Sequence, residues 1–221
     1  MFVEGTDIRY TIRRSDRARR VRVRVDSPDA VEVVLPRRVP EREAALAVRE
    51  LRPWIERRVA ELRRTHAEVA ARGATIPYLD ETLTLVAEPG RTRVTRRGDS
   101  LFVPAEDQRA ALERWFRARA REEVAPRLDR TTALAGTRYT RLTIRGQRTR
   151  WASCSATGAM SFNWRLLLAP ADVLDYVVWH EVCHLEVMDH SPRFWRLLAS
   201  RCPDYRRQSA WLRRHGASLV L

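Results

Sequence analysis

The sequence contains no lysine: all 42 of its basic residues are arginine, and Asn163 is its one asparagine. With 28 acidic residues this leaves a formal charge of +14 and a pI near 11.2. Such a balance points first to nucleic acid, because a concentrated basic patch releases counterions from phosphate. The skew towards arginine and alanine is, however, that of a GC-rich genome rather than of selection at one surface. The arginines are spread along the chain, often beside Glu or Asp, and no recognition helix or base-stacking motif is present, so a dedicated nucleic-acid groove is disfavoured. Cysteine is scarce as well. Cys154, Cys183 and Cys202 are odd in number, scattered, and form no CxxC pair, which excludes a disulfide scaffold or a thiolate zinc knuckle and suits a reducing compartment. No apolar run approaches the ~20 residues of a membrane span, and the opening MFVEGTDIRY lacks the basic stretch and apolar core of a signal peptide. The expectation is a cytoplasmic protein with no membrane partner. Its 221 residues, 44% of them hydrophobic, can bury a core without staples.

Period-two alternation fills residues 7 to 35 in IRYTIRR, RVRVRV and AVEVVLP, which predicts antiparallel strands whose arginines between Val21 and Val25 face solvent. From Pro40 to Gly73 the pattern becomes helical, with Leu46, Trp54, Ile55, Val59 and Leu62 apolar and a kink or split expected at Pro53. Short alternating pieces return between Thr75 and Pro104 and predict a small meander. A helix from about Ala105 to Leu134 follows, with an interruption expected near Pro126. RTRWASCS and AMSFNWRLLL predict a hairpin turning near ATG, and helices are expected to start at Pro170, Ser191 and near Pro203, the last closed by Gly216. Without a regular strand, helix, strand alternation, the class is α+β: a β-rich amino-terminal half and a carboxy-terminal half whose central helix is backed by a hairpin. The expected division is a β-rich region over 1–104, with one long helix, and a hydrolase region over 105–221, with a single compact unit as the alternative.

Three of the five histidines fall within WHEVCHLEVMDHSPRFW, residues 179 to 195. On a helix, His180 and His184 stack on one face and Glu181 projects beside them. A zinc ion takes neutral imidazole ligands, and a catalytic site keeps one position for water, whose proton Glu181 would accept as general base. A third ligand is required. His190, Glu186, Asp189 and Asp204 are the candidates, and His190 is chosen provided the chain turns first, since six helical steps would carry it about 240° round the axis. Met188 and Asp189 mark the expected turn, Asp being tolerant of left-handed backbone. Ser191 and Pro192 then restart the helix. Cys183 faces away from the ligand side and reads as core. His66 and His215 are read as surface residues.

RTRWASCS at 148–155, SFNWRLLLAP at 161–170, LDYVVWHEVCHLEVMDHSPRFW at 174–195 and PDYRRQSAWL at 203–212 resemble the YgjP-like metallopeptidase family, akin to SprT-type and minimal zincin folds. YTIRRSDRARRVRVRV and IPYLDETLTL extend the resemblance over nearly the whole chain. It implies a zincin-like hydrolase region over 105–221, a bound zinc or other divalent ion on His180, His184 and His190, and a catalytic Glu181. Two departures stand out: Ala152 replaces the glycine of the family's WGSCS, and Asp80 replaces a glycine, which is expected to alter a turn.

The resemblance implies either a zinc-dependent metallopeptidase-like hydrolase acting on peptides or a metal-dependent UTP pyrophosphatase. For a peptide, the strand near Trp151 would pair with an extended substrate. For a nucleotide, arginines would clamp phosphates, with Arg148, Arg150, Arg165 and Arg193 as candidates. Ser153 and Asn163 either orient groups near the metal or satisfy the hairpin backbone. A third reading, a non-catalytic nucleic-acid-associated zinc protein, is disfavoured by Glu181, for which a structural site has no use.

Overall fold

The computed structural model describes residues 8–147 and 149–221. They fall into two units, one ending at Ala71 and one spanning Arg72–Leu221. The expected boundary lay between 104 and 105. The second unit takes in 75–104 because strands there bury Ile76, Leu83, Leu101 and Val103 in the same core as the carboxy-terminal helices.

The first unit contains β1 (Tyr10–Ser15), β2 (Arg22–Ser27), β3 (Ala30–Pro36), α1 (Arg42–Glu50) and α2 (Arg52–Ala71). The helical stretch does split, at Leu51, ahead of Pro53, so the proline sits in the first turn of α2, where its missing N–H costs nothing. Val25, Val31, Val33 and Leu35 of the sheet meet Ala44, Val48, Ile55 and Leu62 of the two helices in one apolar layer, while Arg22 and Arg24 face out as their alternation predicts. Leu46 and Trp54, expected on the apolar stripe, are instead 43% and 40% exposed. The pairing differs from the expected all-antiparallel arrangement: the order is β1-β3-β2, with β1 parallel to β3.

The second unit begins with a four-stranded sheet of β4 (Thr75–Tyr78), β5 (Glu81–Glu88), β6 (Thr95–Arg97) and β7 (Ser100–Pro104). It is not a meander: the order is β4-β5-β7-β6, and β5 runs parallel to β7. Then α3 (Gln108–Ala135) runs unbroken through Pro126. That proline lies on the exposed face, so the carbonyl it orphans one turn back can be met by water. Gly136, left-handed at φ 64°, ends the helix, and the Thr137 N–H donates back to the Thr132 carbonyl.

A third sheet, in the order β8-β10-β9, comprises β8 (Arg141–Arg145), β9 (Ala152–Cys154) and β10 (Ala159–Asn163). The β9–β10 hairpin turns through ATG as expected, and β8 joins β10 in parallel. Behind it come α4 (Ala171–Cys183), α5 (Pro192–Arg201) and α6 (Tyr205–His215). Phe116, Phe162, Trp164, Leu167, Val178, Val182, Phe194 and Leu198 fill the centre, all nearly inaccessible to water. The architecture is α+β, with two of the three sheets in the amino-terminal half and a carboxy-terminal half that is mainly helical. Among the described residues no helix is long and apolar enough to cross a membrane.

Asp80 does more than alter a turn. Leu79, at a left-handed φ of 54°, donates its N–H to the Leu167 carbonyl, and Asp80 Oδ1 accepts the Ala171 N–H at 3.0 Å, capping the first turn of α4. Replacing Asp80 by Ala is expected to cost about 1 kcal/mol, read as a fall of about 2–4 °C in the thermal midpoint.

Candidate metal centre

The apolar spacing of PADVLDYVVWHEVCHLEV buries α4 on most sides: Val173, Leu174, Val177, Val178, Val182 and Cys183 are all in the core. The helix ends at Cys183, one residue before the second histidine of HExxH, so His184 sits at the cap rather than inside the last turn. The chain then winds on tighter bonds, Leu185 N–H to Val182 O and Glu186 N–H to Cys183 O. The turn therefore starts earlier than Met188 and Asp189, and neither residue is left-handed. Asp189 instead accepts the Ser191 N–H on Oδ1 at 3.0 Å, which pins the start of α5. Pro192 takes the first helical position as expected, but the Ser191 hydroxyl does not cap the helix.

This turn brings the third histidine back. His180 and His190 approach Nε2 to Nε2 at 3.0 Å, and the ring centroids of His180, His184 and His190 are 4.7 to 5.1 Å apart. Their ligand atoms all lie within 4.8 Å of one another, so the three can hold a metal ion. Phe194 stacks on His184 at 4.5 Å and packs edge-on to the other two rings, and Trp195 stands behind His190. In the turn, Glu186 is tied to Arg201 of α5 at 2.5 Å.

The donor chemistry fits a borderline-soft divalent cation. His184 Nδ1 lies 3.0 Å from the Val187 carbonyl, which places its proton there and leaves Nε2 as a lone pair. Two imidazole lone pairs cannot face each other at the His180–His190 distance without a proton or a cation between them. A tetrahedral zinc shell sets its nitrogens about 3.3 Å apart, close to the separation that His180 and His190 already show. Burial and the neighbouring imidazoles press the His180 pKa down to about 3, and burial lowers that of His184, so both are neutral at pH 7, the form a metal needs.

Glu181 is 5% exposed and its carboxyl is pushed up to about 8, chiefly by burial. Two groups oppose that shift: the backbone N–H of Cys154, which donates to the carboxylate, and the charge of Arg150. The Cys154 contact follows from the register of β9. Ser155 N–H bonds Ala159 O, Asn163 N–H bonds Trp151 O, and Ser153 stands opposite Ser161. The residues with odd numbers therefore use their backbone groups on β10, and those of Ala152 and Cys154 point off the edge of the sheet.

The other candidates scatter. Ser153 bonds the Ser161 hydroxyl at 2.9 Å. Asn163 donates to the Gln147 and Arg150 carbonyls and accepts the Arg165 N–H, so both side chains are engaged in local hairpin contacts. Trp151 rests on Gly216, where a Cβ would stand 2.8 Å from the indole. Arg165 lies over Trp164 at 4.5 Å and beside Glu113. Arg193 is exposed next to Asp189, and Arg148 falls outside the described residues. Of the described arginine candidates, Arg150 is the one whose charge acts on Glu181. Cys183 is fully buried, as expected. The Cys154 N–H, the Val187 carbonyl and the Asp80 cap had no signal in residue spacing, because each contact is set by tertiary placement.

These findings meet a family of known class, the metallopeptidase-type hydrolases, which depend on a divalent metal. The chain belongs to the YgjP-like family: the description "YgjP-like, metallopeptidase domain" matches residues 19–215. Among solved structures, the crystal structure of the metallopeptidase zymogen of Pyrococcus abyssi abylysin is similar at 23% identity, covering 41% of this chain and 96% of that one, with a TM-score of 0.36. No curated protein matches.

Proposed function

We propose that the chain is a zinc-dependent metallopeptidase-like hydrolase of the cytoplasm, in which His180, His184 and His190 hold the metal and Glu181 is the general base. The observation that carries this reading is the gathering of the His180, His184 and His190 ligand atoms within 4.8 Å of one another, next to a Glu181 that is buried on the same helix. When bound, zinc would supply a Lewis acid at the scissile carbonyl. An extended peptide adds to the edge of β9 through the backbone groups of Ala152 and the carbonyl of Cys154, and its scissile bond is thereby held beside the carboxylate. Glu181 takes the proton of the attacking water on its carboxylate oxygen and returns it to the leaving amine. The Cys154 N–H and Arg150 favour the anion that the first transfer needs. Phe194 and Trp195 form an aromatic wall that keeps the imidazoles in place.

A second reading, UTP pyrophosphatase, is favoured by Arg150, whose guanidinium could meet a phosphate next to Glu181. One experiment separates the two. The zinc-loaded protein is given a peptide library and, separately, UTP, with the Glu181→Gln protein in parallel to reveal contaminants. Peptide cleavage by wild type alone supports the proposal, and pyrophosphate release by wild type alone replaces it with the second reading.

A further inference from the structure

The first unit carries a feature that the hydrolytic site does not use. Residues 9–24 hold eight arginines against the single acidic residue Asp16, a surplus of seven that is half of the formal charge of +14. Arg13 on β1 and Arg22 on β2 are both in register with Val34 on the central strand, so their side chains flank it on the outer face of the sheet. The segment between β1 and β2 brings Arg17 and Arg20 to the same place, and with Arg24 these residues line a cavity of about 590 Å³. Val34 is only 5% exposed although it belongs to no part of the apolar layer under the sheet. It forms the floor of a cup whose rim is made of arginine stems together with Ala18 and Val21.

Charge accounting separates this cup from the rest of the surface. Elsewhere arginines are commonly matched, as in the Arg52–Glu56, Arg117–Glu113 and Arg127–Glu123 pairs. Here no acidic residue lines the cavity. Arg13 and Arg24 share Glu32 at 2.9 and 4.0 Å, and Arg24 also meets Asp26 at 3.6 Å. Arg17, Arg20 and Arg22 have no ion-pair partner among the described residues, and all three are exposed. In a chain without lysine the choice of arginine says nothing; the concentration and the missing carboxylates do.

We propose that this cup binds the phosphate backbone of a nucleic acid strand. Planar guanidiniums match phosphate oxygens bidentately and also stack on bases, an apolar floor accepts the face of a base, and the volume lies in the range of a small-ligand site. An acidic peptide offers a comparable charge per unit length but no planar base on which the guanidiniums can stack.

The test uses the full chain and a fluorescently labelled twelve-nucleotide oligothymidylate, followed by anisotropy over a salt series. The variant Arg17→Ala/Arg20→Ala/Arg22→Ala is compared with Arg57→Ala/Arg63→Ala/Arg64→Ala, which removes the same charge from exposed positions of α2. Three phosphate contacts on a single strand predict that the cup variant flattens the slope of log K against log salt by about 2, with affinity at about 100 mM salt falling more than tenfold and an unchanged thermal midpoint. The α2 variant should stay within about threefold of wild type, its charges being distant and screened. Equal weakening by both variants, or no binding by wild type at that salt, overturns the proposal. So does displacement of the strand by polyglutamate as effective as that by unlabelled oligothymidylate, which would assign the cup to acidic peptides, or by UTP, which would assign it to mononucleotides.

Discussion

Glu181→Gln is expected to lower turnover on any substrate of the centre by about 10²- to 10⁴-fold, the range that a positioned general base contributes. In free-energy terms that is about 3–5 kcal/mol of barrier. The amide is nearly the same size as the carboxylate, and its oxygen can still accept the Cys154 N–H, so the fold and the three imidazoles should be undisturbed. What it cannot do is take a proton. Metal content measured by elemental analysis should therefore remain that of wild type while kcat collapses. Wild-type turnover in this variant would remove Glu181 from the mechanism, and a loss of metal along with activity would make it a ligand instead.

His184→Ala should act on the other half of the site, and its effect should be the larger on metal content. His184 is 7% exposed, stacked at 4.5 Å on Phe194 and bonded to the Val187 carbonyl. Truncation removes one of the three nitrogens proposed as ligands, leaves a buried carbonyl without its partner, and opens a cavity against Phe194. The expected result is retention of less than about a tenth of the wild-type metal, since losing even an outer partner of a ligand commonly costs 10- to 100-fold in affinity. The metal-free protein should also lose about 1–3 kcal/mol of stability through the orphaned carbonyl. Denaturant unfolding after chelation separates the two contributions. The control is His66→Ala, an exposed helix position where neither quantity should move. Metal bound at full stoichiometry in His184→Ala would exclude this residue from the ligand set.

The sequence made some of this legible and left other parts dark for physical reasons. Alternation in RVRVRV and AVEVVLP identified the strands and their exposed arginines, because side-chain period reflects burial directly. It could not say that β1, β5 and β8 pair in parallel with β3, β7 and β10, since the partner of a strand is chosen by the whole sheet. Pro126 looked like a break, but it lies on an exposed face, where the carbonyl it frees one turn back can turn towards water, and the helix continues through it. At the centre, the i, i+4 spacing of His180 and His184 and the break before Ser191 and Pro192 were readable, and the structure draws His190 into the same cluster. The early end of α4 at Cys183 was not, because 3-10 winding leaves no mark in residue type. The resemblance marked Asp80 as a departure at a turn but gave no sign of its cap, in which the carboxylate reaches ninety-one positions along the chain to Ala171.

The link between β9 and Glu181 is made by a main-chain amide, and that shapes how the site can drift. An alanine scan through residues 152–154 would pass over it, since each replacement leaves the N–H in place; even the exchange of glycine for alanine at 152 keeps it. An insertion or deletion of a single residue in the hairpin is another matter. It would exchange inward and outward groups all along the strand and turn the Cys154 amide away from the carboxylate. Side chains at this edge are therefore free to diversify, while the length of the hairpin is not.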